Sequence, residues 1–504
     1  MLSRRLLRFE AFAALALSCL SILIPAVGAA SWPGTPEGPR DVCGLIAASV
    51  SAASAVYYPN TANYDLDNYH FASSSSQASE CSVEPGTVED VATIIKIVGM
   101  TRTPFAVKSG GHNTNPGFSS ATGVQIAMSR FNNITIDSTA QTATIGAGLI
   151  FDEIYAALEE HGVMILGARA TGIGAGGFIL GGGYSFLSNE HGLTVDTVRA
   201  FEAVLPDGTI TTATNTSNSD LFWALKGGHN KFGIVTQFTM DTFPIGQVWG
   251  GSVMLPVTNY DAVKDATLQF WQNATDPKAD ILIGFTATQN QTSIEVDLFY
   301  DGPSPPAGLF DGFMNVPDAA QITSAMDARS YLSLVQSANT NATAGMREYF
   351  DTVSITNPSS SLFDAVLNET TYWYQTLAAE VSDLVVHYDV EPFLRNIYSH
   401  AGADSSAWPP RRDQSFTPML IAYAWTSPDN DGLINTVMQQ STRQLTDLAM
   451  SEGQDIANTP LYNNYALYSH PAEKVYGNNL GRLRSIRERY DPQRVMDLAG
   501  GWNF

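Results

Sequence analysis

With 504 residues, 44% of them hydrophobic, the chain can bury large cores and divide into more than one domain or lobe. A formal charge of −23 at pH 7 makes a surface that repels nucleic acid and anionic membranes, which excludes both as partners. The same acidity says little about a substrate, because it commonly serves solubility alone.

At the N-terminus Arg4, Arg5 and Arg8 precede an apolar run from Ala11 to Val27, and Gly28-Ala29-Ala30 follows. That order predicts a secretory signal peptide over residues 1–30, cleaved near Ala29 or Ala30. As a membrane anchor the run is too short, and Pro25 interrupts its end. Cleavage removes three Arg and one Glu, taking the formal charge to about −25. No later segment has the long uncharged character of a membrane span, so the mature protein is expected to be secreted, extracellular and off the membrane. Cys19 leaves with the signal peptide, and Cys43 and Cys81 remain. In an oxidising compartment these two are expected to form a disulfide, with neither catalytic. Asn133, Asn215, Asn273, Asn290, Asn341 and Asn368 begin Asn-x-Ser/Thr sequons. That number is close to chance in a chain so rich in Asn, Ser and Thr, so the expectation of a glycoprotein rests on the export signal.

Further along, Ser73 to Ser76 and Pro303 to Pro306 read as exposed loops. Thr87 can cap a helix whose Val91, Ile94, Ile95 and Val98 recur at helical spacing. Strand-like Phe105-Ala106-Val107 then leads into Lys108-Ser109-Gly110-Gly111-His112-Asn113, and Gly123 to Met128, Ile134 to Ile136 and Thr142 to Ile145 read as further strands. Phe151, Ile154, Tyr155 and Leu158 mark one face of a helix that Gly162 can end. These elements predict an α+β lobe. From about Gly246 to Gly453 the glycine motifs disappear, and strands such as Thr292 to Tyr300 alternate with helical and aromatic stretches, which predicts a second lobe. Near the C-terminus Leu480, Leu483, Ile486 and Tyr490 mark a helix that Pro492 helps to close.

A glycine pair beside a histidine, directly after a strand, suits a loop around a phosphate-bearing cofactor. Glycines let backbone N–H groups approach a pyrophosphate, and an imidazole nitrogen could attack the electrophilic methyl carbon of an isoalloxazine. Alone, the stretch reads first as a surface turn with an incidental His, and its company changes that. Downstream stand Gly172-Ile173-Gly174-Ala175-Gly176-Gly177 with Gly181-Gly182-Gly183, Asp196-Thr197-Val198, Asp220 to Gly228, and Phe232-Gly233-Ile234-Val235-Thr236. Tyr462-Asn463-Asn464-Tyr465 and an Arg-rich run ending in Arg489-Tyr490-Asp491-Pro492 complete the set. In that order, from about Val83 to the C-terminus, the motifs resemble the berberine-bridge-enzyme-like family of FAD-linked oxidases, of the vanillyl-alcohol-oxidase type. A Rossmann site, with Asp196 as the ribose acid, is the competing reading of Gly172-x-Gly174-x-x-Gly177. It needs a helix where Gly181 to Gly183 stand, at roughly 1 kcal/mol per glycine. The run is therefore read as a loop against a flavin diphosphate.

The resemblance implies an α+β fold with a discontinuous FAD domain, residues 31–246 and 456–504, interrupted by an α+β substrate domain, residues 247–455. It implies FAD held by Lys108, Ser109, Gly110, Gly111, His112, Asn113, Thr171, Gly172, Gly174, Gly176, Gly177, Val198, Gly233, Ile234, Val235 and Asn464, with no metal. His112 stands where the family bonds the flavin 8α-methyl carbon, and Ala170 stands where some members add a second bond through Cys, so one covalent link is expected. Lys108 stands where Arg is common, keeping the charge without the bidentate fork. Ile173 falls at the position that governs oxygen access, and its β-branched side chain resembles the oxidases. Tyr465 matches the base; a free phenol has a pKa near 10, so the site must depress it or take its proton in step with hydride departure. Tyr462 reads equally as a residue lining the substrate cavity and as a core aromatic, and Tyr423 is a further candidate from the substrate lobe by rough position only. The activity implied is hydride removal from a carbohydrate, alcohol or specialised metabolite, with oxygen reduced to hydrogen peroxide. A dehydrogenase with another acceptor, or a flavin-fold binding protein without turnover, are the alternatives. No motif names the substrate or the oligomeric state.

Overall fold

The computed structural model describes residues 41–338 and 341–504, so the expected signal peptide with Cys19 lies outside the described residues. The first sheet comprises β1 (Ala55–Tyr57), β2 (Cys81–Glu84), β3 (Phe105–Lys108) and β4 (Val124–Ala127), in the order β1-β2-β4-β3. Its central strand β4 is buried at all four residues, and it runs parallel to both neighbours, the pattern of a strand covered on both faces. Thr87 caps the helix Val88–Thr101 through the Asp90 amide, as expected, and Val91, Ile94, Ile95 and Val98 are buried. A Cys43–Cys81 disulfide ties the helix Val42–Ser49 to the start of β2.

A second, antiparallel sheet contains β5 (Ile134–Asp137) and β6 (Thr142–Gly146), then, after the short β7 (Val163–Met164), β8 (Val198–Val204), β9 (Ile210–Thr214) and β10 (Ile234–Asp241). Its order is β5-β6-β10-β8-β9, while β7 pairs with β11 (Phe243–Pro244). The helix Phe151–Glu159 buries the four residues expected of it, and Gly162 follows at φ +65°.

The third sheet is antiparallel throughout and comprises β12 (Val248–Pro256), β13 (Ala279–Thr288), β14 (Gln291–Tyr300), β15 (Asp327–Arg329), β16 (Arg347–Ile355), β17 (Val385–Val390) and β18 (Thr417–Trp425). The order is β15-β12-β14-β13-β17-β18-β16. Side chains alternate between faces with period two. Ile283, Ile294, Val296, Tyr388 and Ile421 pack into one core with the helices Tyr260–Asn273, Ser360–Leu377 and Asp431–Ser451. The opposite face, with Glu295, Asp297, His387 and Asp389, is turned to a cavity.

A separate core gathers side chains from Val42 to Val248 together with the C-terminal Tyr462 to Phe504 and a few from between, such as Phe299 and Trp408. Leu480, Leu483 and Ile486 of the helix Leu480–Tyr490 belong to it. No helix among the described residues is long and apolar enough to cross a membrane.

Two local expectations fail. Ser73–Ser75 is a short helical turn with Ser74 and Ser75 buried, because Ser74 Oγ donates to the Glu348 carbonyl and accepts from its amide. Ala175–Leu180 is a helix entered at Gly174, where a loop was expected, and the glycines that follow end it.

Candidate active site

A cavity of about 920 Å³ opens between the glycine-rich segments and the polar face of the third sheet, at the upper end of the range for ligand sites. Strand β3 delivers the first segment: Ser109 to Asn113 all line the cavity. The helix Ala175–Leu180 begins against it, where a Cβ on Gly174 would lie 2.1 Å from the Gly110 nitrogen. Only two glycines permit this backbone contact, and the Gly176 amide adds a 3.2 Å hydrogen bond to Ser109 Oγ. Ile173, Gly174, Gly176 and Gly177 line the cavity, as do Gly233 and the first two residues of β10, Ile234 and Val235. A Cβ on Gly177 would meet nothing within 4 Å.

The His112 ring stacks on Phe71, with centroids 4.1 Å apart and 13° between planes. Burial lowers its pKa to about 4, so at neutral pH the imidazole is uncharged and keeps a free lone pair. Ala170 lines the same cavity and offers no sulfur.

Four residues expected at the cofactor are not among those that line the cavity. Lys108 follows Val107 in β3, and alternation puts Val107 on the cavity and Lys108 on the other side, where its Nζ donates to the Leu66 carbonyl at 2.8 Å. Burial, against the pull of Asp67, lowers its pKa to about 8. Thr171 Oγ1 and the Gly172 amide both donate to Asp152, which turns them out of the lining. Val198 is buried at the start of β8. Asp196, the acid of the competing nicotinamide reading, is held by a bidentate bond from Arg412 at 2.9 and 2.6 Å, with both side chains nearly sealed from solvent.

The C-terminal segment adds Tyr462, Asn464 and Tyr465 to the lining. Asn464 Nδ2 donates to the Phe178 carbonyl and to Tyr462 Oη. Tyr465 Oη lies 3.5 Å from Arg169 Nη2, and Arg169 pairs with Glu391. The guanidinium also lies over the Phe393 ring, 5.1 Å from its centroid. Burial, reinforced by Glu391 and opposed by Arg169, holds the Tyr465 phenol well above its ordinary pKa. The expected depression is therefore absent, and the phenol enters the reaction protonated unless its proton leaves in a concerted step. Tyr423 projects from the opposite face of the sheet, where its hydroxyl pairs with Tyr388 at 2.8 Å, and takes no part in the cavity.

Sequence reasoning missed Arg169, Glu391, His229, Glu295, Asp297, His387 and Asp389. For the last four a signal exists: Glu295-x-Asp297 and His387-x-Asp389 put paired charges on one face of strands whose alternate residues, Ile294, Val296 and Leu298 or Val386, Tyr388 and Val390, are apolar or aromatic. Arg169 and Glu391 are 222 residues apart and leave no local trace.

The donor set fits FAD. Glycine backbone faces the cavity over three segments, and His229 Nε2, buried in the same wall, has no protein partner. The comparisons agree. A family model described as FAD binding domain matches residues 79–214, and one described as Berberine and berberine like matches 461–498. An uncharacterized FAD-linked oxidoreductase of Arthroderma benhamiae is 34% identical over 81% of this chain and 83% of its own. An FAD-dependent monooxygenase of Emericella nidulans is 30% identical over 91% and 97%. Among solved structures, xylooligosaccharide oxidase from Myceliophthora thermophila C1 with xylobiose superposes at a TM-score of 0.69, with 24% identity over 91% and 98% of the two chains. Physcomitrella patens BBE-like 1 gives 0.72, with 19% over 92% and 98%. At these identities the structural likenesses establish the fold, which is of the vanillyl-alcohol-oxidase type. The protein is thus an FAD-dependent oxidoreductase, and the chain belongs to the berberine-bridge-enzyme-like family of FAD-linked oxidases.

Proposed function

We propose that this protein is a secreted oxidase that removes a hydride from a C–H bond of a small molecule, at a carbon bearing a hydroxyl or amine, and passes the electrons to oxygen. The observation that carries the reading is one cavity that brings together glycine backbone and a neutral His112 with Tyr465, its neighbour Arg169 and a polar sheet face. FAD, when bound, supplies the hydride acceptor and the route to oxygen.

His112 offers an uncharged nitrogen for a single covalent bond, and Ser109 to Asn113, Gly174, Gly176, Gly177, Gly233 to Val235 and Asn464 hold the cofactor. Residues 31–246 and 456–504 form the flavin part, and residues 247–455 the substrate part. Tyr465, protonated at rest, takes the substrate proton as the hydride leaves while its own proton passes to the Glu391 carboxylate, its side-chain hydrogen-bond partner. Arg169, beside the hydroxyl, steadies the negative charge in that step. Ile173 borders the path for oxygen. Export follows from the N-terminal signal.

The test is anaerobic mixing of purified protein with panels of alcohols, amines and sugars, followed by oxygen. Bleaching by substrate alone and one hydrogen peroxide per turnover support the reading. Bleaching only after a nicotinamide is added would instead support the monooxygenase chemistry named for several relatives. Peptide mass spectrometry should find the flavin on the His112 peptide alone.

A further inference from the structure

The cavity face of the third sheet gathers three carboxyls, Glu295, Asp297 and Asp389, around a single basic side chain, His387. Glu295 of β14 and Asp389 of β17 flank Gly284 of β13 in one row across three strands. A Cβ at Gly284 would fall 2.8 Å from Asp389 Oδ1, 2.9 Å from His387 Cε1 and 3.1 Å from the Glu295 Cβ. The glycine thus forms the floor of a hollow on which these side chains converge. Asp297, two residues along β14, lies on the same face; it is 9% exposed and its Oδ1 has no hydrogen-bond partner.

The other charges nearby are already engaged. His387 Nε2 lies 2.8 Å from Asp389 Oδ1, and Arg169 pairs with Glu391. Ser252 donates to Glu295 at 3.0 Å, and Thr343 donates to Glu348 at 3.0 Å. Among the described residues, no Lys, Arg or His forms an ion pair with Glu295 or Asp297. Burial first, then repulsion from Glu295, raises the Asp297 carboxyl well above its ordinary range, and burial raises Glu295. Three buried carboxyls that share one histidine, itself paired with Asp389, are costly to ionise. An incoming cation relieves that cost.

Resting on the reading of this cavity as the substrate site, the geometry points to a substrate that carries a protonated amine, seated over Gly284 between Glu295, Asp297 and Asp389. Its reacting C–H then lies on the Tyr465 side of the ammonium. Binding is expected to release a proton, because the ammonium favours the charged form of Asp297.

The test uses the full-length secreted protein and anaerobic calorimetry with three probes: phenethylamine, uncharged phenethyl alcohol and cellobiose. The amine is expected to bind about ten- to a hundredfold more tightly than the alcohol, the range of a hydrogen bond to a charged group, with a proton released to buffer. In the Glu295→Gln/Asp297→Asn variant that preference should vanish while the visible flavin spectrum is unchanged. If folding of the double variant fails, Glu295→Gln alone should reduce the preference. Equal affinity for amine and alcohol, or no binding of the amine, overturns the proposal; tighter cellobiose binding overturns it in favour of a hydroxyl-rich ligand. A colourless protein without flavin on His112 would count against the oxidase reading, while the heats would still decide the occupant of the hollow.

Discussion

Arg169 and Glu391 form an ion pair with side chains 9% and 0% exposed, and the same guanidinium reaches the Tyr465 hydroxyl. The pairing is incomplete: Arg169 Nη1 and Glu391 Oε1 are buried without partners. A pair of this kind positions the phenol more than it stabilises the fold, because desolvating two charges offsets most of their attraction.

Arg169→Met should therefore destabilise the protein by about 3 kcal/mol, by stranding a buried carboxyl. The double variant Arg169→Met/Glu391→Leu should recover most of that loss. Urea unfolding of the three proteins measures it. A single variant as stable as the parent would mean that Glu391 is satisfied without Arg169.

Tyr465→Phe should keep the flavin spectrum and slow anaerobic flavin reduction by substrate about 10²- to 10⁴-fold, the usual effect of losing a general base. Stopped-flow absorbance isolates this step from oxygen chemistry. Reduction at the parent rate would assign proton removal to another group.

His387 gives stability a pH signature. Burial alone would lower its pKa, but Asp389, with Glu295 and Glu348 behind it, raises it to about 9. A histidine raised in the folded state contributes fully below its unfolded pKa of 6.5 and loses that contribution as pH rises through about 9. Denaturant midpoints should fall across that window, and fall less in His387→Gln. Parallel pH profiles for the two proteins would remove the ion pair from the account.

Cys43 and Cys81 close a stretch of 38 residues. Cys43→Ser should cost about 3–4 kcal/mol by the loop-entropy relation. Thermal unfolding with and without reductant checks it, and identical curves would show that the bridge adds nothing.

The flavin-side motifs were legible because their chemistry is local. A glycine pair after a strand, or Val91, Ile94, Ile95 and Val98 at helical spacing, is visible within a few residues. What escaped depends on strand parity or on distant pairing. Lys108 was taken to the cofactor, yet Val107 occupies the cavity-facing position, and parity sends the lysine to Leu66. Tyr423 failed for the same reason, since its neighbours Ala422 and Ala424 line the cavity while it joins the helix-covered core. Composition misled at Ser73 to Ser76: four serines read as exposed, but hydrogen bonds to β16 make burial affordable for Ser74.

That serine turn has a consequence for the chain as a piece of matter in solution. Strand β16 is nine residues long and ends the seven-stranded sheet, so one flank of its backbone has no strand beside it. Ser74 bonds both the amide and the carbonyl of Glu348, the Ser73 amide donates to Met346, and Thr114 Oγ1 accepts from the Phe350 amide at 3.1 Å. The segment that carries Phe71, the stacking partner of His112, is thus also the cover of an edge that would otherwise invite strand addition by a second chain. Residues 247–455 cut out alone would carry that edge bare and should self-associate, whereas the intact chain keeps it closed.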